Sequence, residues 1–186
     1  MTDIISKTKK YFATYIREND DIYLLKSHVP LVEKWVNRLC DKHPEADREV
    51  VILGVYLHDI AHYPLIKGSD HAVRGEEKAI KFLKENGLSE EKVKEVAHLV
   101  RSHRCNDIEP QTIEAKILAC ADSASHFDDT TYLDIIQQGR VEYGAGKLDR
   151  DFRDIGIFPE VQQELKPLYE AWKMLYKAYM NLNKKL

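Results

Sequence analysis

An apolar run, VVILGVYL at residues 50 to 57, leads directly into HDIAHYP. In so short a run periodicity alone does not separate a buried strand from a buried helix. No other segment alternates at period two, and one strand cannot make a sheet, whereas apolar residues recur at helical spacing from end to end. The pattern therefore predicts an all-α chain.

A first helix is expected near residues 3 to 18. A second starts between Ser27 and Pro30 and carries His28, Val32, Trp35 and Leu39 on one face. Pro44, at a first helical position and followed by an acidic residue, predicts a third helix over about 44 to 61 that ends at the HD dipeptide. Ser69 or Asp70 can cap a fourth, which stops at Asn86-Gly87. Ser89, followed by Glu90 and Glu91, opens a fifth whose stripe runs Val93, Val96, Val100, His103. Pro110 and Thr112 open a sixth, containing Ile113, Ile117, Leu118 and Ala121. A more polar helix is expected over about 128 to 140, and GRVEYGAGKLDRDFRDIG reads as a loop with at most a short helical turn. Pro159 begins a long terminal helix, with Pro167 as a site for a kink. Its stripe of Leu165, Leu168, Trp172, Leu175, Tyr176 and Tyr179 is assigned to packing over the bundle, a homodimer contact being the other use of such a surface.

The 186 residues show no internal repeat and predict one domain over 1–186. A hydrophobic fraction of 44% and a net charge of -3 give an ordinary globular composition, with no general attraction to nucleic acid or anionic membrane. Lys177, Lys184 and Lys185 near the chain end are too few to change that. Cys40, Cys105 and Cys120 are odd in number, widely spaced and without a CxxC pair, which argues against a disulfide framework and a thiolate zinc site. With no apolar leader and no stretch approaching the roughly 18 apolar residues of a membrane span, the expected location is the cytoplasm.

Against this background the polar residues on apolar faces stand out. His28 heads the Val32, Trp35, Leu39 face; His58 follows Val51 and Val55; Asp122 lies four residues after Leu118. His71 shares a face with Gly75, Ala79 and Phe82, and His103 extends the Val96, Val100 stripe. Five helices each bring one such residue inward. Ionisable groups are costly to bury without a partner, and imidazoles and carboxylates are ligands suited to a divalent transition metal. One cation satisfies His28, His58, Asp59 and Asp122 together.

In this order, His28, then His58-Asp59, then Asp122, the chain resembles the HD-domain superfamily of metal-dependent phosphohydrolases over about residues 25 to 127. The resemblance implies a single helical bundle of the HD-domain type, with residues 128 to 186 packing on the motif-bearing core. It implies that His28, His58, Asp59 and Asp122 hold a first divalent metal, that His71 and His103 join a second, and that Asp59 bridges. Fe, Mn, Mg, Zn, Co and Ni are not distinguished. The chemistry implied is attack of metal-bound hydroxide on a phosphomonoester or phosphodiester, with a nucleotide or related small molecule as substrate. Many members follow HD with Ile-Gly and then Lys or His; here Ile60-Ala61-His62 stands in that place.

Phosphate needs orienting donors besides metal. Lys67, in the loop YPLIKGSD, and Arg74, three residues after His71, are the cations expected to contribute, with Arg101 and Arg104 also near the ligands. Two other readings use the same ligands. One is a metal-stabilised domain that binds a nucleotide or partner without turnover, and the other is oxygen-dependent chemistry at a di-iron centre.

Overall fold

A computed structural model describes residues 3–183; Lys184 and Lys185 lie outside them. Among the described residues there are nine α-helices, one 3-10 turn and no strand, so the chain is all-α as its patterning predicts. The helices are α1 (Asp3–Arg17), α2 (Leu25–Lys42), α3 (Arg48–Leu57), α4 (His71–Glu85), α5 (Glu90–Ser102), α6 (Ile113–Ser125), α7 (Thr131–Gln137), α8 (Val141–Asp154) and α9 (Pro159–Asn183), with the 3-10 turn Ile155–Ile157 before α9. No helix among them is long and apolar enough to cross a membrane.

Helix α3 is the hub, packed against α1, α2, α5 and α6. Val50, Val51, Leu53, Val55 and Leu57 are each no more than 1% exposed, which explains why this run is apolar on every side rather than on one stripe. Around it α4 pairs with α5, and α2 with α6. The buried faces of α2, α5 and α6 carry the residues expected there, including Val32, Trp35, Leu39, Val93, Val96, Val100, Ile117 and Leu118.

Local chemistry sets the boundaries. Helix α3 starts at Arg48, four residues later than Pro44 suggests, because the Asp47 carboxylate accepts the free amides of Glu49 and Val50. Helix α2 starts earlier than expected, at Leu25. Asp21 accepts the amides of Leu25 and Lys26 at 2.8 and 2.9 Å, so Pro30 lies inside the helix. Asp70, Ser89 and Thr112 cap α4, α5 and α6, and Gly87, at φ +77, ends α4.

The largest departure from expectation is α8, a 14-residue helix where the glycines suggested a loop. Its Val141, Gly144, Leu148 and Asp151 follow one helical face and are buried. A Cβ on Gly144 would stand 2.4 Å from the Tyr176 hydroxyl, so this glycine permits close approach of α9 instead of breaking the helix. Helix α7 is shorter than the expected 128 to 140. On α9, Leu165, Tyr169 and Tyr176 are buried and Trp172 packs against the core, whereas Leu168, Leu175 and Tyr179 are 37 to 44% exposed, so the expected stripe is split between core and solvent.

Candidate metal centre

The opening of the site is built by helix ends. His58 is the residue at the C-terminal end of α3 and His103 the one at the end of α5. Each turns its Nδ1 onto the carbonyl three residues back, His58 onto Val55 at 2.8 Å and His103 onto Val100 at 2.7 Å. A nitrogen facing a carbonyl must carry a proton, so Nδ1 is a donor in both rings and Nε2 is turned to the interior. His28 is held through Ser125. The Ser125 hydroxyl donates to the Asp122 carbonyl at 2.8 Å, leaving its oxygen to accept from His28 Nδ1 at 3.2 Å, and His28 Nε2 points at Asp122 Oδ1, 3.0 Å away.

Asp59 lies between two groups of these nitrogens. Its Oδ2 is 3.4 Å from His58 Nε2, while Oδ1 is 3.2 Å from His62, 3.3 Å from His71 and 3.7 Å from His103. Two triads, each compact enough to hold one cation, flank it: His28, His58 and Asp122 on one side, and Asp59, His62 and His71 on the other. The dipeptide is fixed in place because Ile60 and Ala61, which follow it, are fully buried. His71 reaches the centre because α4 can approach closely at Gly75, where a Cβ would stand 3.1 Å from Val100 Cγ1 and 3.4 Å from the His58 carbonyl. The ion pair of Arg104 with Asp70 further joins the loop after His103 to the cap before His71.

Electrostatics follow from this crowding. Burial opposes charge on His28, but its hydrogen bonds to Asp122 and Asp129 outweigh that and push its pKa up to about 10. The same contacts hold Asp122 far below the ordinary carboxylate range against its own burial. Asp59 is likewise held well down, burial opposing and the charges of His62 and His58 prevailing. His103 is pushed down to about 3 by burial and by neighbouring His58, so it stays neutral.

One atom tests whether a cation belongs here. His58 Nε2 is fully buried and has no hydrogen-bond partner, a cost that few native side chains carry. An imidazole nitrogen without a hydrogen-bond partner, surrounded by carboxylates and further imidazoles, is placed where it could serve a metal ion as ligand. The donor set is oxygen and nitrogen with no thiolate, which fits a divalent first-row metal.

All six residues expected as ligands, His28, His58, Asp59, His71, His103 and Asp122, converge. His62, whose orientation the sequence leaves open, converges with them and stacks on His71 at 3.9 Å. The two phosphate-facing cations expected from sequence stand elsewhere. Arg74 donates to the Pro64 carbonyl at 3.2 Å, Lys67 is exposed in its loop, and neither lines the cavity that opens onto the centre.

That cavity, of about 800 Å³, draws its far wall from a segment read as irregular in the sequence. Tyr143, Lys147 and Arg150 line it from one face of α8, spaced four and three residues apart, together with Arg140 just before the helix. Lys147 Nζ lies 2.9 Å from Asp151 and 3.1 Å from His126 Nδ1, and the His126 ring stacks on His28 at 4.9 Å. Tyr132 donates its hydroxyl to Asp151 from behind, at 2.9 Å.

Comparison with known proteins agrees with the geometry. A family model described as the HD domain matches residues 25–125. A bifunctional uridylyltransferase/uridylyl-removing enzyme from Acinetobacter baylyi is 37% identical over 76 residues, which are 41% of this chain and 8% of that protein. The chain therefore corresponds to a small part of that relative's length. A crystal structure of a predicted HD superfamily hydrolase from an uncultured Thermotogales bacterium superposes with a TM-score of 0.55 at 26% identity, covering 73% of this chain and 74% of that one.

Proposed function

Because the chain belongs to the HD-domain family, we propose that it is a metal-dependent phosphohydrolase that cleaves a small phosphate ester. The observation that carries this reading is the orphaned, fully buried Nε2 of His58 inside a ring of imidazoles and carboxylates. In the proposal His28, His58, Asp59 and Asp122 hold one divalent cation, while Asp59, His71 and His103, with His62 added, hold a second. Such cations, when bound, lower the pKa of coordinated water and offset charge on phosphoryl oxygens.

The protein's own groups supply the rest. Val55 and Val100 hold the Nδ1–H of His58 and His103 and so turn their Nε2 atoms to the interior, whereas His28, charged beside Asp122, would release its Nε2 proton on binding a cation. Asp59 turns Oδ2 toward His58 and Oδ1 toward His71, so it would be the carboxylate shared by the two halves of the site. Lys147, lining the cavity beside His126, takes the orienting role that the sequence suggested for Arg74 and Lys67. The cavity's volume suits a ligand of nucleotide size, and the relative named a uridylyl-removing enzyme supports a nucleotide as substrate.

The reading is tested by measuring bound metal in the purified protein, together with phosphate release from p-nitrophenyl phosphate and a nucleotide panel under added Mn²⁺, Co²⁺, Ni²⁺ and Mg²⁺. Hydrolysis that needs one of these ions and stops on chelation is the expected result. A metal-replete protein that releases no phosphate from any of them would leave a binding domain as the function.

A further inference from the structure

The cavity has two chemically different ends. One is the ring of imidazoles and carboxylates. The other is at Tyr143 on α8, where Arg140, just before the helix, and Arg150 both rest on the ring, their guanidinium carbons 4.2 and 5.7 Å from its centre. Neither guanidinium meets a carboxylate within ion-pair distance among the described residues; Arg140 reaches only the Gln138 side chain, at 3.5 Å. The carboxylates on the same wall are otherwise engaged. Asp151 is held by Lys147, Asp154 by Arg153, and Asp134 accepts from the Thr130 hydroxyl at 2.7 Å. Two exposed cations therefore line the cavity without a carboxylate in ion-pair distance among the described residues, gathered on one aromatic ring.

We propose that Arg140 and Arg150, positioned by Tyr143, form a second anion subsite, so that the substrate carries one phosphate at the metal ligands and another anionic group at α8. The separation can be read along the helix. Lys147 abuts His126. Arg140 and Arg150 flank it in sequence, seven residues before and three after, and both guanidiniums fold onto Tyr143, which stands four residues before Lys147, about 6 Å along the helix at 1.5 Å of rise per residue. Terminal phosphorus atoms of a triphosphate, or the two phosphates of a bisphosphorylated sugar, fit this interval; a simple monophosphate leaves the outer end unused. Planar two-pronged donors such as guanidinium are suited to phosphate oxygens.

This inference rests on the hydrolase reading for its choice of phosphate, and the test separates the two. Binding to the metal-loaded protein is measured by calorimetry with two probes, inorganic orthophosphate and the hydrolysis-resistant bis(methylene) analogue of tripolyphosphate, with metal in excess over both. The wild-type protein is expected to prefer the longer probe by at least about tenfold. Arg140→Gln, Arg150→Gln brings the two affinities together without changing metal content. The control Lys10→Gln, Lys81→Gln, which removes the same charge from exposed positions on α1 and α4, keeps the preference. A wild-type protein without the preference, or an arginine variant that retains it, overturns the subsite. A wild-type protein that shows the preference yet hydrolyses no phosphate ester keeps the subsite and overturns the hydrolase reading instead.

Discussion

His71 Nε2 lies 3.4 Å from His103 Nε2, and both face Asp59 Oδ1. His103 donates from Nδ1 to Val100, so its Nε2 holds a lone pair, and burial together with His58 keeps that ring neutral down to a pH of about 3. Two imidazoles meeting in this way over a carboxylate are ligand types suited to one divalent cation. Titrating metal into stripped protein should therefore show two classes of site in the parent and one in the His71→Ala, His103→Ala double variant. Unchanged stoichiometry would count against the second site, and His62→Ala should weaken it without abolishing it.

Lys147 and Asp151 divide function from stability. Asp151 receives Lys147, His126 and Tyr132 in a buried setting, so Asp151→Ala leaves an ammonium without its counter-ion and should cost about 3 to 5 kcal/mol. Lys147→Met removes the cation but keeps most of the stem. It should lower kcat/KM by about 1.5 to 3 kcal/mol of transition-state stabilisation while metal content stays at the parent value. Chemical denaturation and steady-state kinetics on the two variants check both claims.

Asp154 supplies a pH signature away from the metal ligands. Burial pushes its pKa up to about 6, with the Arg153 ion pair only partly compensating and Asp151 and Asp122 adding to the rise. A carboxyl whose folded pKa exceeds its unfolded one contributes most below the unfolded value of 3.8 and loses that contribution as pH rises through about 6. Asp154→Asn has no charge to desolvate. It should be more stable than the parent by about 1 to 2 kcal/mol at pH 8, after allowance for solvent screening, with most of the gain gone at pH 4.5. Melting curves at the two pH values decide it; an equal difference at both would show that ionisation is not the cause.

Arg74 donates to the Pro64 carbonyl and has a buried Nε without a partner, away from the cavity lining. Arg74→Ala should lower the melting temperature by a few degrees, equivalent to about 1 kcal/mol, and leave kcat/KM within about twofold of the parent. A large fall in kcat/KM at unchanged stability would return this arginine to the substrate.

Most of the fold and of the convergent cluster was legible because buried ionisable groups break apolar periodicity. His28, His58, His103 and Asp122 are conspicuous for that reason alone. His62 was harder to assign, since it lies beyond the end of α3, where the chain turns and helical spacing no longer predicts direction. Arg74 and Lys67 stand off the cavity lining because nearness in sequence to His71 does not fix where a long side chain ends. The wall formed by Arg140, Tyr143, Lys147 and Arg150 stayed hidden behind Gly144 and Gly146. Glycine reads as a helix breaker, yet Gly144 here serves tertiary packing against Tyr176, which no local pattern reveals.

The central claim is that cations held around Asp59 carry out phosphate-ester hydrolysis. It is tested most directly by measuring metal content and phosphate release side by side in the parent and in Asp59→Ala. The account predicts one to two equivalents of divalent metal and metal-dependent hydrolysis in the parent, and loss of both in a variant that remains helical. Full metal retention with undiminished hydrolysis in Asp59→Ala would contradict it.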